Sequence, residues 1–231
     1  MTATEHLTQA ATSRNAFLLY ISTDYVFPGT QGHAPYKSQD DPKPTNIYGQ
    51  TKLDGEEAVL RCTKNTGLGV VLRVPVLYGS VEPENNNKES AVNVLMDSLW
   101  KSQGKQDTER VKMDDWAIRY PTNTEDVARV CVDVAKYYTS AKNATELPPI
   151  LQFSSEDRMT KYEISQLFAE IMGLPTDGIV ADKDGGKPGP DGTMRPYDCH
   201  LDTGELKKLG IDVTTVDFTA WWRRQVRAYR K

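Results

Sequence analysis

Apolar positions along this chain alternate between short unbroken runs and stretches with helical spacing. Ala16–Ser22 (AFLLYIS) is a continuous apolar run, which suits a strand buried on both faces of a parallel sheet. A loop rich in Pro, Gly and Asp over 28–46 separates it from a helix expected from about Ile47 to Lys64. Val70–Leu77 reads as a second buried strand, followed by a helix over 88–102. Thr124–Ser140 repeats its apolar residues at Val127, Val130, Val134 and Tyr137/Tyr138, one face of a helix with Thr124 as its cap. Ile150–Ser154 is a third strand. Thr160-Lys161-Tyr162-Glu163 has the spacing of a capping box and opens a helix that stops at Gly173. The stretch 182–196 is loop by composition, Thr203–Leu209 a short helix ending at Gly210, and Asp217–Arg230 a closing helical segment. Residues 3–13 look like the end of a helix.

Strands separated by helices predict an α/β fold around a doubly wound parallel sheet, with a smaller C-terminal lobe. The expected division is 1–80 for the sheet domain and 81–231 for a mixed remainder carrying the lobe and the tail. The chain has 231 residues, enough for a sizeable core. Lys plus Arg total 28 against 32 Asp plus Glu, a net charge of −4, which argues against nucleic acid or an anionic membrane as partner. No apolar run approaches the roughly 20 residues that span a bilayer. Cys62, Cys131 and Cys199 are far apart and odd in number, and His6, His33 and His200 are scattered, so neither a disulfide framework nor a metal site is expected. The N-terminal stretch is polar and lacks a signal core, so the expected location is the cytoplasm.

Candidate chemistry begins at the end of the first strand. Ligands of such sheets bind at the carboxyl ends of strands, which places the Ser22 and Thr23 hydroxyls where a substrate would lie; Ser and Thr also end strands for purely local reasons. Tyr48 and Lys52, four apart on the next helix, share a face. A cation beside a phenol is expected to lower its pKa, and a lysine has donors for ribose hydroxyls. Spacing alone means little, because Tyr138 and Lys142 repeat it; that second pair reads as solvated.

STDYVF, YGQTK and LRVPVLYG (72–79), in this order, resemble the extended short-chain dehydrogenase/reductase superfamily, in its branch around dTDP-4-dehydrorhamnose reductase. The resemblance implies a Rossmann-like fold, NADP as cofactor and a triad of Thr23, Tyr48 and Lys52, with the tyrosine protonating a carbonyl while hydride arrives from NADPH. LDGEEAVL, VPVLYGSVE, ESAVNVL, MDDWAIRYPTNTEDVARVC, MTKYEI and the closing WWRRQVRAYRK are similar to the family of regulatory beta subunits of methionine adenosyltransferase. This second resemblance covers nearly the whole chain and implies a partner, the methionine adenosyltransferase catalytic subunit, rather than a reaction. It makes the triad vestigial and gives the C-terminal segment, Trp221, Trp222, Arg223, Arg224 and Val226, a partner-binding role. An amphipathic helix covering the sheet is the plainer reading of the same residues. Arg119, with Trp116 beside it, resembles a substrate-lobe segment; Arg119 could meet a phosphate or carboxylate, or lie on the surface, and Trp116 could line the pocket or pack in the core.

The chain departs from the family at the cofactor. Its first glycine is Gly29, and Gly67-Leu68-Gly69 precedes a strand rather than a helix, so the Gly-rich turn that holds a pyrophosphate is missing. NADP binding is therefore expected to be weak or absent. By comparison with the family, the N-terminal strands of the sheet are expected to be lacking, leaving Ala16–Ser22 as an apolar edge.

Overall fold

A computed structural model describes residues 3–80, 87–105, 109–189 and 192–226. The described residues fall into two compact units, drawn from Met1–Pro75, Val127–Ser154 and Cys199–Val213 for the first, and from Val76–Asp126, Ser155–Asp198 and Thr214–Lys231 for the second. The chain crosses between the two units five times, first after Pro75.

In the first unit, β1 (Leu18–Thr23), β2 (Gly69–Val74) and β6 (Ile150–Gln152) form a parallel sheet in the order β1-β2-β6. Helix α1 (Ala3–Thr12) packs on α2 (Ile47–Thr63), and α2 lies against β1 and β2. Asn46 caps α2 by accepting the Gly49 N–H at 2.9 Å. Helix α4 (Thr124–Ser140) buries Val127, Val130, Val134 and Tyr138 and leaves Tyr137 exposed. Its first turn is served by Asn123, whose Oδ1 accepts the Glu125 N–H at 2.8 Å; Thr124, expected as the cap, is the first helical residue instead. Tyr138, expected on the apolar face but also read with Lys142 as a solvated pair, is buried and donates to the Pro148 carbonyl at 2.5 Å.

The expected strand over 70–77 ends early, at Val74. Pro75 has no N–H to continue a ladder, and the chain resumes as β3 (Leu77–Tyr78) in the second unit, paired with β5 (Thr122–Asn123). There α3 (Val94–Ser102) starts later than the helix expected from residue 88, and residues 81–86 lie outside the described residues. Two strands had no clear signal in the sequence, β4 (Val111–Asp114) and β7 (Ile179–Asp182), which pair in parallel. Helix α5 (Lys161–Met172) begins with the expected capping box, Thr160 Oγ1 accepting from Glu163 N while Glu163 accepts from Thr160 N, and ends at Gly173 with φ +67°. Helix α6 (Gly204–Lys208) belongs to the first unit and α7 (Phe218–Gln225) to the second, where Asp217 caps α7 through the Ala220 N–H at 2.6 Å.

Gly49 fixes how α2 meets the end of β1. A Cβ there would sit 2.2 Å from the Tyr25 carbonyl oxygen and 2.9 Å from the Pro44 Cβ, both too close to keep. Gly49→Ala is therefore expected to cost about 1–3 kcal/mol by overpacking, read as a lowered midpoint in urea with an unchanged slope.

Candidate functional site

Strand β1 ends at Thr23, and a short 3-10 turn follows at once. Thr23 Oγ1 caps that turn by accepting the Tyr25 N–H at 3.2 Å, and donates to Asp24 Oδ1 at 3.0 Å. Thr23 and Asp24 are both buried. Tyr48, in the first turn of α2, comes from the other side, 54% exposed, its ring edge-on to Tyr25 at 6.3 Å between centroids. Its hydroxyl lies near enough to the Thr23 side chain for the threonine to favour the ionised phenol. Local structure thus brings together the strand-end hydroxyl and the helix tyrosine.

Lys52 behaves differently from the sequence expectation. Its Nζ donates to the Ile21 carbonyl at 3.0 Å and stands 5.1 Å from the Tyr20 ring centroid. The Tyr48 phenol is pushed above its ordinary range, chiefly by partial burial; the nearby Thr23 hydroxyl pulls it down and the Asp24 charge pushes it further up. The expected lowering by a neighbouring ammonium is corrected accordingly. At neutral pH Tyr48 is a neutral phenol.

Beneath this site lies a feature that apolar patterning hid. Arg73, in the middle of the otherwise apolar strand GVVLRV, is 1% exposed, as is Glu56 on α2. Arg73 forks onto Glu56 through Nε–Oε1 at 3.0 Å and Nη2–Oε2 at 2.7 Å, and Ser22 donates to the same carboxylate at 2.5 Å. Nη1 reaches the Ser38 carbonyl at 3.3 Å and Gln152 Oε1 at 3.4 Å, while the guanidinium stands over Phe27 at 4.9 Å. One buried ion pair therefore ties β1, β2, β6, α2 and the loop after Thr23 together. The sequence signal was a single charge inside a run of strand-forming apolar residues.

The remaining candidates lie in the second unit. Arg119 is buried, donating to the Ile118 carbonyl at 3.0 Å with Asp114 Oδ2 at 3.5 Å, so it is not a surface arginine. Trp116 is half-buried, edge-on to Tyr197 at 5.1 Å, and Gly185 lies flat against its indole, where a Cβ would come within 1.7 Å of the ring. Trp221 and Trp222, expected at a partner surface, are buried with Tyr78, Phe168 and Phe218. What α7 turns outward is Arg224 and Gln225; Arg223 is partly exposed and reaches Glu170 at 3.5 Å, and Val226 is partly exposed. Residues 227–231, the rest of the expected tail, lie outside the described residues.

Asp157 also belongs to this end of α7, near enough to the Phe218 backbone amide for it to favour the carboxylate. Burial and the nearby Asp217 charge raise its pKa. A carboxyl raised on folding stabilises fully only while protonated, below the ordinary Asp range, and that contribution is lost as pH climbs through the folded value. Asp157→Asn is thus expected to raise the melting temperature by roughly 1–3 °C at pH 7, the gain shrinking toward zero in acid. Calorimetric scans at both pH values check it.

A dinucleotide finds only part of what it needs here. Tyr48 and Lys52, which the resemblance assigns to the ribose side, are both present, with Lys52 donating to the Ile21 carbonyl. A pyrophosphate needs a glycine turn between a strand end and a helix N-terminus, and among the described residues β1 leads instead into a 3-10 turn and the loop to Asn46. Among the described residues no cluster of His, Cys, Asp and Glu could hold a metal, and no helix is long and apolar enough to cross a membrane.

Comparison with known proteins places this geometry in a family. "Methionine adenosyltransferase 2 subunit beta" of Xenopus tropicalis is 39% identical over 215 residues, covering 92% of this chain and 58% of the relative. The chain thus spans a little over half the length of the curated relatives it matches. A "dTDP-4-dehydrorhamnose reductase" of Streptomyces griseus is 45% identical over 78 residues, 34% of this chain and 25% of the relative. The crystal structure of dTDP-4-dehydrorhamnose reductase from Bacillus anthracis in complex with NADP superimposes with a TM-score of 0.73 at 19% identity, covering 98% of this chain and 69% of that one, which establishes the Rossmann-like fold. The model of the RmlD substrate binding domain matches residues 1–229. Two folded units of the described kind and a match of this extent lead to one conclusion: the chain belongs to the RmlD substrate-binding domain family.

Proposed function

We propose that this chain is a regulatory, non-catalytic subunit of methionine adenosyltransferase, binding the catalytic subunit in the cytoplasm and modulating S-adenosylmethionine synthesis. The observation that carries this reading is how far the identity extends. Relatives named as the beta subunit share 36–39% of residues across 91–92% of the chain, whereas the named reductase matches about a third of it. The site supports the same reading, since Lys52 is engaged by the Ile21 backbone carbonyl rather than standing free for a ribose. Partner contact at the C-terminal end runs through the outward residues Arg223, Arg224 and Val226. Trp221 and Trp222 serve it indirectly, by holding α7 in place.

The chain is expected to co-purify with the catalytic subunit at micromolar concentrations, and an Arg223→Glu/Arg224→Glu variant to lose at least tenfold in affinity while Tyr48→Phe binds normally. Failure of the unmodified chain to associate overturns the proposal.

The second reading is an NADPH-dependent reductase of the dTDP-4-dehydrorhamnose type, favoured by the contact between Thr23 and Tyr48. It requires NADPH oxidation with a 4-keto sugar nucleotide that Tyr48→Phe abolishes. NADP binding is proposed to be weak in this chain, and no reduction is expected.

A further inference from the structure

Helix α4 ends at Ser140, and the chain passes through a 3-10 turn over Ala144–Glu146 before it enters β6. That turn is held in place from two directions. A Cβ on Gly67 would lie 2.3 Å from the Ala144 carbonyl carbon, so the two backbones are in direct contact. Tyr138 fixes the end of the connection through the Pro148 carbonyl. Opposite, α6 stops at Gly210, φ +73°, and Asp212 is pinned to α4 by Arg129, whose Nη1 donates to the Asp212 carbonyl at 2.8 Å and stands 3.4 Å from its carboxylate. These two walls and the last turns of α4 line a groove of about 910 Å³, open along one side. All of it belongs to the first unit, and α6 packs on β6, the strand farthest from β1 in that sheet.

The lining combines apolar side chains with unbalanced positive charge. Ile211 is buried, Leu147 and Leu209 are partly so, and Tyr137 is 40% exposed. Lys136 and Lys142 are exposed, and among the described residues neither ammonium meets a carboxylate. The acidic residues of the groove are mostly engaged: Glu146 accepts the Asn143 amide at 2.6 Å, Asp212 has Arg129, and partly buried Asp133 is the one left. We infer that this groove docks an extended acidic segment of a partner protein, which seats an apolar side chain beside Tyr137 and sets its carboxylates against Lys136 and Lys142.

The chemistry of the lining selects that occupant. Ammoniums without a carboxylate attract acidic segments and repel basic ones, which is the charge complementarity that chooses a partner. An exposed tyrosine among aliphatic side chains is the kind of anchor that carries binding energy at protein interfaces. A small ligand needs most of its surface enclosed, and the open side denies that; a protein segment keeps its outer face toward the rest of its own domain. Walls already fixed by Gly67, Tyr138 and Arg129 need little ordering when the segment arrives. This contact is separate from the one proposed at Arg223 and Arg224, which lie in the second unit, so the two readings are tested independently.

Fluorescence polarisation on the 231-residue chain, with a labelled peptide that alternates glutamate and leucine, tests it. Saturable binding at micromolar concentrations is expected, weakening as salt is added. Tyr137→Ala and Lys136→Glu/Lys142→Glu are each expected to lose at least tenfold in affinity with an unchanged melting temperature, since all three side chains are exposed. Lys101→Glu, at an exposed position on α3 in the second unit, is expected to bind like the unmodified chain. Peptides with lysine in place of glutamate, or serine in place of leucine, should bind at least tenfold more weakly. Absence of saturable binding by the glutamate–leucine peptide overturns the inference, and so does binding that the double charge reversal leaves unchanged. Sedimentation of the unmodified chain alone covers the other occupant: self-association that Tyr137→Ala removes puts a second copy in the groove and contradicts a partner segment.

Discussion

Arg73→Met is expected to destabilise the protein by about 3–5 kcal/mol, the usual cost of leaving one member of a buried ion pair without the other. The substitution keeps the bulk and removes the fork onto Glu56, so a carboxylate 1% exposed retains only the Ser22 hydroxyl among its hydrogen-bonding partners given above. The Ser38 carbonyl and the Gln152 amide oxygen lose a donor as well. Urea unfolding followed by fluorescence measures it, and a second variant separates charge from volume. Arg73→Met with Glu56→Leu removes both charges, and it is expected to recover a substantial part of the loss, because two apolar groups of similar size do not strand a buried ion. Equal loss in the single and double variants is the contrary result, and it means the pair acts through packing alone. The effect should also reach Tyr48: the carboxylate holds Ser22, the neighbour of Thr23, so loosening it disturbs the Thr23–Tyr48 contact.

The second large effect is expected at Trp222. Trp222→Ala opens a cavity among Phe168 at 4.7 Å, Trp221 at 4.8 Å and Tyr78 at 5.9 Å between ring centroids, and should cost about 3–5 kcal/mol. Trp222→Phe is expected to cost far less. It refills most of the volume and disposes of an indole N–H that is buried without a hydrogen-bond partner. The pair of variants separates two accounts of the aromatic C-terminal helix. If Trp222 were a contact made directly to a partner, truncation would weaken association and leave the melting temperature alone. Burial in the second unit predicts a lowered melting temperature in the isolated chain, with any loss of association following from it.

Which parts could be read in advance follows from where the stabilising information sits. The strand β1, the helices α2, α4 and α5 and the cap at Thr160 are local matters of periodicity and side-chain hydrogen bonding, and they were legible within a residue or two except at the ends. Pairs such as β3–β5 and β4–β7 were not legible. Two to four residues of strand carry no period, and partners some 45 and 70 residues away supply the stability. At the site, the order of strand-end hydroxyl, tyrosine and lysine was visible, and so was the adjacency of Thr23 and Tyr48 that follows from one strand leading to one helix. The lysine's actual bond was not, because it depends on which carbonyl of β1 faces outward. Trp221 and Trp222 show the limit from the other side: an aromatic pair among arginines has the composition of an interface and of an amphipathic core helix alike, and only the position of Tyr78 and Phe168 decides between them.

The central claim is that this chain works by binding a protein and not by turning over a dinucleotide. Calorimetric titration of the one chain with two ligands tests it most directly. With the methionine adenosyltransferase catalytic subunit, saturable heat at micromolar concentrations is expected; with NADPH over the same range, none. Saturable binding of NADPH together with no heat from the catalytic subunit is the result that contradicts the account.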